Sequence, residues 1–130
     1  MNIVIISLGS NIHDRYIQME RAISYLKSEF ERVSVSTIYE SEALNGKDAS
    51  YLNAVAIFQT EYNIQSVTKL LKEWENQCGR TPDSKLKGLI PIDLDIVVWN
   101  GKIIRQLDFS YPFFSQGYNE LIELGVISTN

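Results

Sequence analysis

Two carboxylates stand in an apolar run. PIDLDIVVW, residues 91–99, reads as a strand near a core, yet it carries Asp93 and Asp95 two positions apart. Side chains alternate on a strand, so both aspartates share one face, with Cα atoms about 6.6 Å apart. Ile92, Leu94 and Ile96 share the other face. Neighbouring carboxylates repel, and one pKa rises unless a cation sits between them. Mg²⁺ suits such a pair, because it takes oxygen ligands and completes its shell with water and phosphate oxygens. The plainer reading is a solvated face decorated by two acids. The preceding stretch RTPDSKLKGLIP adds Arg80, Lys85 and Lys87 within eight residues. A basic loop beside a carboxylate pair suggests a phosphate site, and a solvated loop with ordinary lysines is its alternative.

The elements that must position these groups follow from periodicity. NIVIISLG is a β-branched apolar run closed by GSN, which predicts a first strand. DRYIQMERAISYLKSEF places Met19, Ile23, Leu26 and Phe30 at helical spacing. RVSVSTIYES alternates as one half-buried strand, EALNGKDAS is a loop, and YLNAVAIFQTEY is another strand. NIQSVTKLLKEWENQCG is a helix with Asn63 as N-cap, an apolar stripe from Val67 to Cys78, and Gly79 past its end. The Asp-bearing strand turns at Asn100-Gly101 into KIIRQL, a short partner strand. This order predicts an α+β, ferredoxin-like βαββαβ sandwich: an antiparallel sheet with helices on one face, as one domain over 1–130. The uncovered face is free to host a ligand.

Composition narrows the partners. Twelve basic against sixteen acidic residues give a net charge of −4, which argues against general nucleic-acid or anionic-membrane binding. No apolar stretch is long enough to span a bilayer, and the start lacks a signal-peptide pattern, so a cytoplasmic protein is expected. Cys78 is the one cysteine, which rules out an internal disulfide. The one histidine, His13, reads as surface or capping rather than as a general base.

Four segments in order give the chain a family likeness: SLGSN at 7–11, YES at 39–41 with YLNAV at 51–55, ENQCGR at 75–80, and DLDI at 93–96. Together they resemble the 6-hydroxymethyl-7,8-dihydropterin pyrophosphokinases of folate synthesis, over a span reaching to about Tyr118. The resemblance implies a ferredoxin-like fold and a reaction in which the pterin hydroxymethyl oxygen attacks the β-phosphorus of ATP and AMP leaves. It implies two Mg²⁺ ions held by Asp93 and Asp95, with Arg80 steadying the phosphates. Glu75, Lys85 and Lys87 would serve the nucleotide; Ser41, Leu44, Tyr51, Asn53 and Tyr118 would line the pterin pocket. A monomer working on these two small molecules is expected.

The likeness is to a divergent, shortened member. Ile90 stands where the family carries an arginine. In FSYPFFSQGYNEL, Tyr111 and Gln116 stand near a family histidine and arginine. The departures fall on the phosphate side. Three readings follow: an ATP-dependent pyrophosphokinase, a relative that binds pterin or nucleotide without turnover, and an unrelated ferredoxin-like interaction module.

Overall fold

The computed structural model describes residues 1–128; residues 129 and 130, the last two of the expected domain, lie outside the described residues. The element order is β1 (Asn2–Ser10), α1 (Arg15–Glu29), β2 (Glu31–Val35), β3 (Tyr39–Ser41), β4 (Tyr51–Thr60), α2 (Ile64–Gln77), α3 (Pro82–Leu86), β5 (Asp93–Trp99), β6 (Lys102–Ile103), α4 (Gln106–Ser110) and α5 (Pro112–Glu123). The six strands form one sheet in the order β2-β4-β1-β5-β6, with β3 also on β4, and every pairing is antiparallel. The expected α+β architecture is therefore present.

Strand alternation divides the apolar residues between two faces. Val4, Ile6, Leu8, Ala54, Ala56, Phe58, Leu94 and Ile96 turn to one face, where Met19, Ala22 and Leu26 of α1 and Val67 and Leu71 of α2 bury them. Phe30 stacks on Phe58 with ring centroids 4.1 Å apart. α2 starts as expected, its Asn63 side chain accepting from the Ser66 N–H, and ends at Gly79 with φ +95°.

The second face is only partly open. α5 lies across it, and Phe114, Leu121 and Ile127 pack on Ile5, Val55, Val97 and Val98. A bulge lets β5 serve both faces: Ile5 pairs with Val98 and Ile6 with Ile96, so Val97 is the extra residue. Before the bulge, Asp93 and Asp95 face the part of the sheet that α5 leaves bare.

Three local outcomes differ from the sequence pattern. The single strand expected over 32–41 is two strands, β2 and β3, interrupted at Ser36–Ile38. At the interruption the Ser36 hydroxyl accepts from the Val55 N–H, and Thr37 donates to Glu120 of α5 through both N–H and hydroxyl. The loop after α2 contains α3, capped by Thr81 and Ser84 reciprocally with Pro82 at the first turn. Beyond β6, two helices stand where the pattern predicts none. Among the described residues no helix is long and apolar enough to cross a membrane.

Candidate active site

The bare part of the sheet is the floor of a cleft of about 360 Å³. Its register sets three pairs side by side: Tyr51 and Asn53 from β4, Ser7 and Gly9 from β1, Asp93 and Asp95 from β5, with Gly9 between Asn53 and Asp93. A Cβ on Gly9 would lie 3.5 Å from the Tyr51 ring and 3.7 Å from Asn53 Oδ1, so any longer side chain there would fill the floor. Ser41 and the following Glu42–Asn45 segment form one wall, Phe113 at the start of α5 forms another, and Arg105 and Asp108 close a third side.

Asn53 is buried and oriented. Its Nδ2 donates to Ser41 Oγ at 2.7 Å and to Tyr39 O at 3.3 Å, which turns Oδ1 toward the cleft above Gly9. An amide held this way offers an acceptor to a heterocycle edge. Burial and then the Asp93 charge raise the Tyr51 pKa, so its hydroxyl stays protonated.

The two aspartates are unequal. Burial first, then the Asp93 charge, pushes Asp95 up to about 7. Burial works against the charge on Asp93 too, but a hydrogen bond from the Asp95 carboxyl and the Arg80 guanidinium hold its pKa below the usual range. The pair thus shares a proton near neutrality, one negative charge short of what two aspartates can carry. No group of three or more His, Cys, Asp or Glu side chains is arranged to hold a metal among the described residues. Two carboxylates on one face, above a glycine floor, fit a cation that draws its remaining oxygens from water and a phosphate-bearing substrate; Mg²⁺ is such a cation.

Arg80 and Glu75 act from the outer edge of β5. Arg80 Nη1 lies 2.6 Å from Asp93 Oδ1 and 3.1 Å from Glu75 Oε1. Glu75 is 2% exposed, and its Oε2 accepts the Leu94 N–H at 2.8 Å. It therefore ties α2 to the outer edge of β5 and lines neither cleft; the structure places it as a support for Arg80 and Asp93, not as a group facing a nucleotide.

The remaining expected residues separate. Ser41, Leu44, Tyr51 and Asn53 all line the cleft, Leu44 from an exposed loop. Tyr118 does not. It packs edge-on against Phe109 and beside Phe114 in the α5 core, because helical spacing turns it under the helix while Phe113 meets the cleft. Lys85 and Lys87 are exposed on and after α3, away from the cleft lining, and Lys87 pairs with Asp83 across one helical turn. Ile90 is buried and its N–H donates to Asn11 Oδ1 at 2.6 Å.

A second, smaller cleft of about 180 Å³ opens at the outer edge of β5. Ile64, Thr68, Leu71 and Lys72 of α2 line one side, Ile104 and Arg105 the other, and Asp95 and Ile96 the back. Leu94 turns its N–H to this edge, so strand alternation points the backbone groups of Ile96 the same way. Sequence reasoning missed Arg105, Asp108 and Phe113. KIIRQL reads as a strand, and nothing in its spacing signals that the chain doubles back there to present Arg105.

Residues 5–122 match the model of the family described as 7,8-dihydro-6-hydroxymethylpterin-pyrophosphokinase. The chain is similar to the 2-amino-4-hydroxy-6-hydroxymethyldihydropteridine pyrophosphokinase of Aquifex aeolicus, 32% identical over 119 residues that cover 89% of this chain and 74% of the relative. The enzyme of the same name from Bacillus subtilis is 34% identical over 114 residues, covering 85% and 68% respectively. The folic acid synthesis protein fol1 of Schizosaccharomyces pombe is 39% identical over 123 residues, which cover 92% of this chain and 17% of that longer protein.

Proposed function

This chain belongs to the 7,8-dihydro-6-hydroxymethylpterin-pyrophosphokinase family, and from that membership we propose that it transfers pyrophosphate from Mg-ATP to 6-hydroxymethyl-7,8-dihydropterin in folate synthesis. The single observation that carries the reading is the common floor on which Asn53, Gly9, Asp93 and Asp95 stand in adjacent strands. One end of that floor suits a heterocycle and the other suits a metal-bound phosphate chain. Membership sets aside the unrelated interaction module.

In the proposed reaction the pterin lies between the Ser41–Leu44 wall and Phe113, with its edge on Asn53 Oδ1. Its hydroxymethyl end then points along the floor toward Asp93. The adenine occupies the second cleft, where Leu71 and Ile104 supply apolar surface and Ile96 a backbone edge. The phosphate chain runs from there across Asp95 to the first cleft. The pterin hydroxyl oxygen bonds to the β-phosphorus, the bond from that phosphorus to the α-bridging oxygen breaks, AMP departs with that oxygen, and the hydroxyl proton passes to water. Two Mg²⁺ ions would neutralise the phosphates and polarise the β-phosphorus for in-line attack. Asp93 and Asp95 would hold them, and Arg80 would keep Asp93 ionised and oriented.

The test is AMP release from Mg-ATP with and without 6-hydroxymethyl-7,8-dihydropterin, beside an Asp93→Ala variant. Pterin-dependent AMP that disappears in the variant is expected. A second reading, binding without transfer, is favoured by the uncharged Ile90 and by lysines that stand off the cleft. It predicts that the folded protein binds pterin but releases no AMP.

A further inference from the structure

The main cleft is poor in positive charge. Glu42, Asp48, Asp93, Asp95 and Asp108 line it, and Arg105 is the one cation among its described lining residues. The second cleft contains Lys72 and Arg105. Lys72 already lies 3.5 Å from Glu75 Oε1, on the α2 side. Arg105 and Asp95 alone line both clefts, so they mark the passage between them.

The Arg105 guanidinium is held but not consumed there. Its Nε donates to Asp108 Oδ2, while Nη1 stands 4.0 Å from Asp95 Oδ1, beyond hydrogen-bond distance. The side chain is 48% exposed. Anchoring at Nε fixes the plane of the fork and leaves both terminal nitrogens to donate, the geometry that grips a phosphate oxygen pair. The backbone is fixed as well, since Ile104 N–H donates to Val97 O at 2.7 Å next to the bulge.

We propose that Arg105 binds the phosphate chain of the nucleotide where it crosses from the second cleft to the metal-binding aspartates, with Asp108 as its positioning residue. This deepens the pyrophosphokinase reading and rests on it. A guanidinium at this passage offsets the negative charge of the phosphates against five cleft carboxylates. It also explains how uncharged side chains can stand at Ile90, Tyr111 and Gln116: the cation enters from the turn before α4 instead.

The experiment is calorimetric titration with Mg-bound α,β-methylene-ATP, whose methylene replaces the bridging oxygen that must leave, so binding is read without turnover. Wild type is compared with Arg105→Gln, Arg105→Lys and the charge-matched control Lys102→Gln, and thermal melts check that each is folded. Loss of a charge-assisted phosphate contact weakens binding roughly 10- to 100-fold. That loss in Arg105→Gln, partial recovery in Arg105→Lys and wild-type affinity in Lys102→Gln are expected. Wild-type affinity in Arg105→Gln, or an equal loss in Lys102→Gln, would overturn the role of Arg105 and leave the pyrophosphokinase reading standing. No binding by the wild-type protein would overturn both.

Discussion

Gly117 sits in the middle of α5, where glycine costs about 1 kcal/mol of helix stability relative to alanine. On propensity alone Gly117→Ala stabilises the protein. The packing argues the reverse. A Cβ at 117 would lie 2.8 Å from Val55 Cγ2, 2.9 Å from Ser36 Oγ and 2.9 Å from the Tyr39 hydroxyl. None of these atoms yields easily. Val55 is fully buried on a central strand, and the Ser36 hydroxyl accepts from the Val55 N–H. The Tyr39 hydroxyl donates to Phe113 O at 2.6 Å and accepts from the Gly117 N–H at 3.1 Å. The helix itself must lift by roughly half an ångström. Overpacking costs typically about 1–3 kcal/mol, and three contacts under 3.0 Å put this site in the upper part of that range, about 2–3 kcal/mol, so after the helix gain the expected net change is a destabilisation of about 1–2 kcal/mol. For a chain of this size that lowers the melting temperature by roughly 3–10 °C. The lift also moves Phe113, so on the proposed reading pterin affinity falls with stability. Thermal unfolding and pterin titration of Gly117→Ala check both. An unchanged or higher melting temperature would refute the close-packing argument, and a lower one with intact pterin affinity would refute the link from α5 to the cleft wall.

Two further perturbations test the site's electrostatics. Asp95, raised to about 7 mainly by burial and then by Asp93, holds a proton in the folded state that the unfolded chain loses near its ordinary 3.8. Its contribution is therefore fully present below about pH 4 and lost as pH rises through about 7; metal-free wild type is expected to lose stability across that window in urea titrations, Asp95→Asn to lose less, and equal slopes would remove the shared-proton account. Glu75 is buried between Leu94 N–H and Arg80, so Glu75→Ala strands the Leu94 backbone donor and leaves Arg80 to Asp93 alone, and a loss of about 2 kcal/mol in urea midpoint analysis is expected, against a smaller loss for Glu75→Gln, which keeps the acceptor.

Much of this arrangement is legible in the sequence because strand geometry is rigid. A D-x-D in an apolar run has to place both carboxylates on one face, and the Leu94 and Ile96 side chains settle which face that is. The same periodicity gives the β1, α1, β4, α2 and β5 core. What escapes are features set by tertiary contact. The break between β2 and β3 depends on Glu120, more than eighty residues away, reaching Thr37. α5 begins with Pro112 and is followed by Gly125, which are readable boundary signals, but Gly117 interrupts its apolar stripe at the point where the helix presses hardest on the sheet. Phe113, to which the sequence assigned no role, takes the place at the cleft expected of Tyr118, because the helix, once present, decides which ring is turned inward.

In the proposed reaction the phosphate side differs in kind from the metal side. A metal ion between two carboxylates requires donor oxygens at fixed separation, and a strand supplies that separation only from residues i and i+2. Compensating phosphate charge is less demanding: a cation works from any backbone position whose side chain reaches the phosphates, because the interaction falls off slowly over a few ångströms in a half-buried cleft. A long side chain such as arginine widens the choice further. A sequence comparison by position therefore finds Ile90, Tyr111 and Gln116 uncharged and registers a loss. In space, the turn between β6 and α4 returns a guanidinium to the edge of the same two aspartates. Aspartates at 93 and 95 are tied to their positions by geometry, whereas the arginine can move along the chain provided that its charge arrives at the passage between the two clefts.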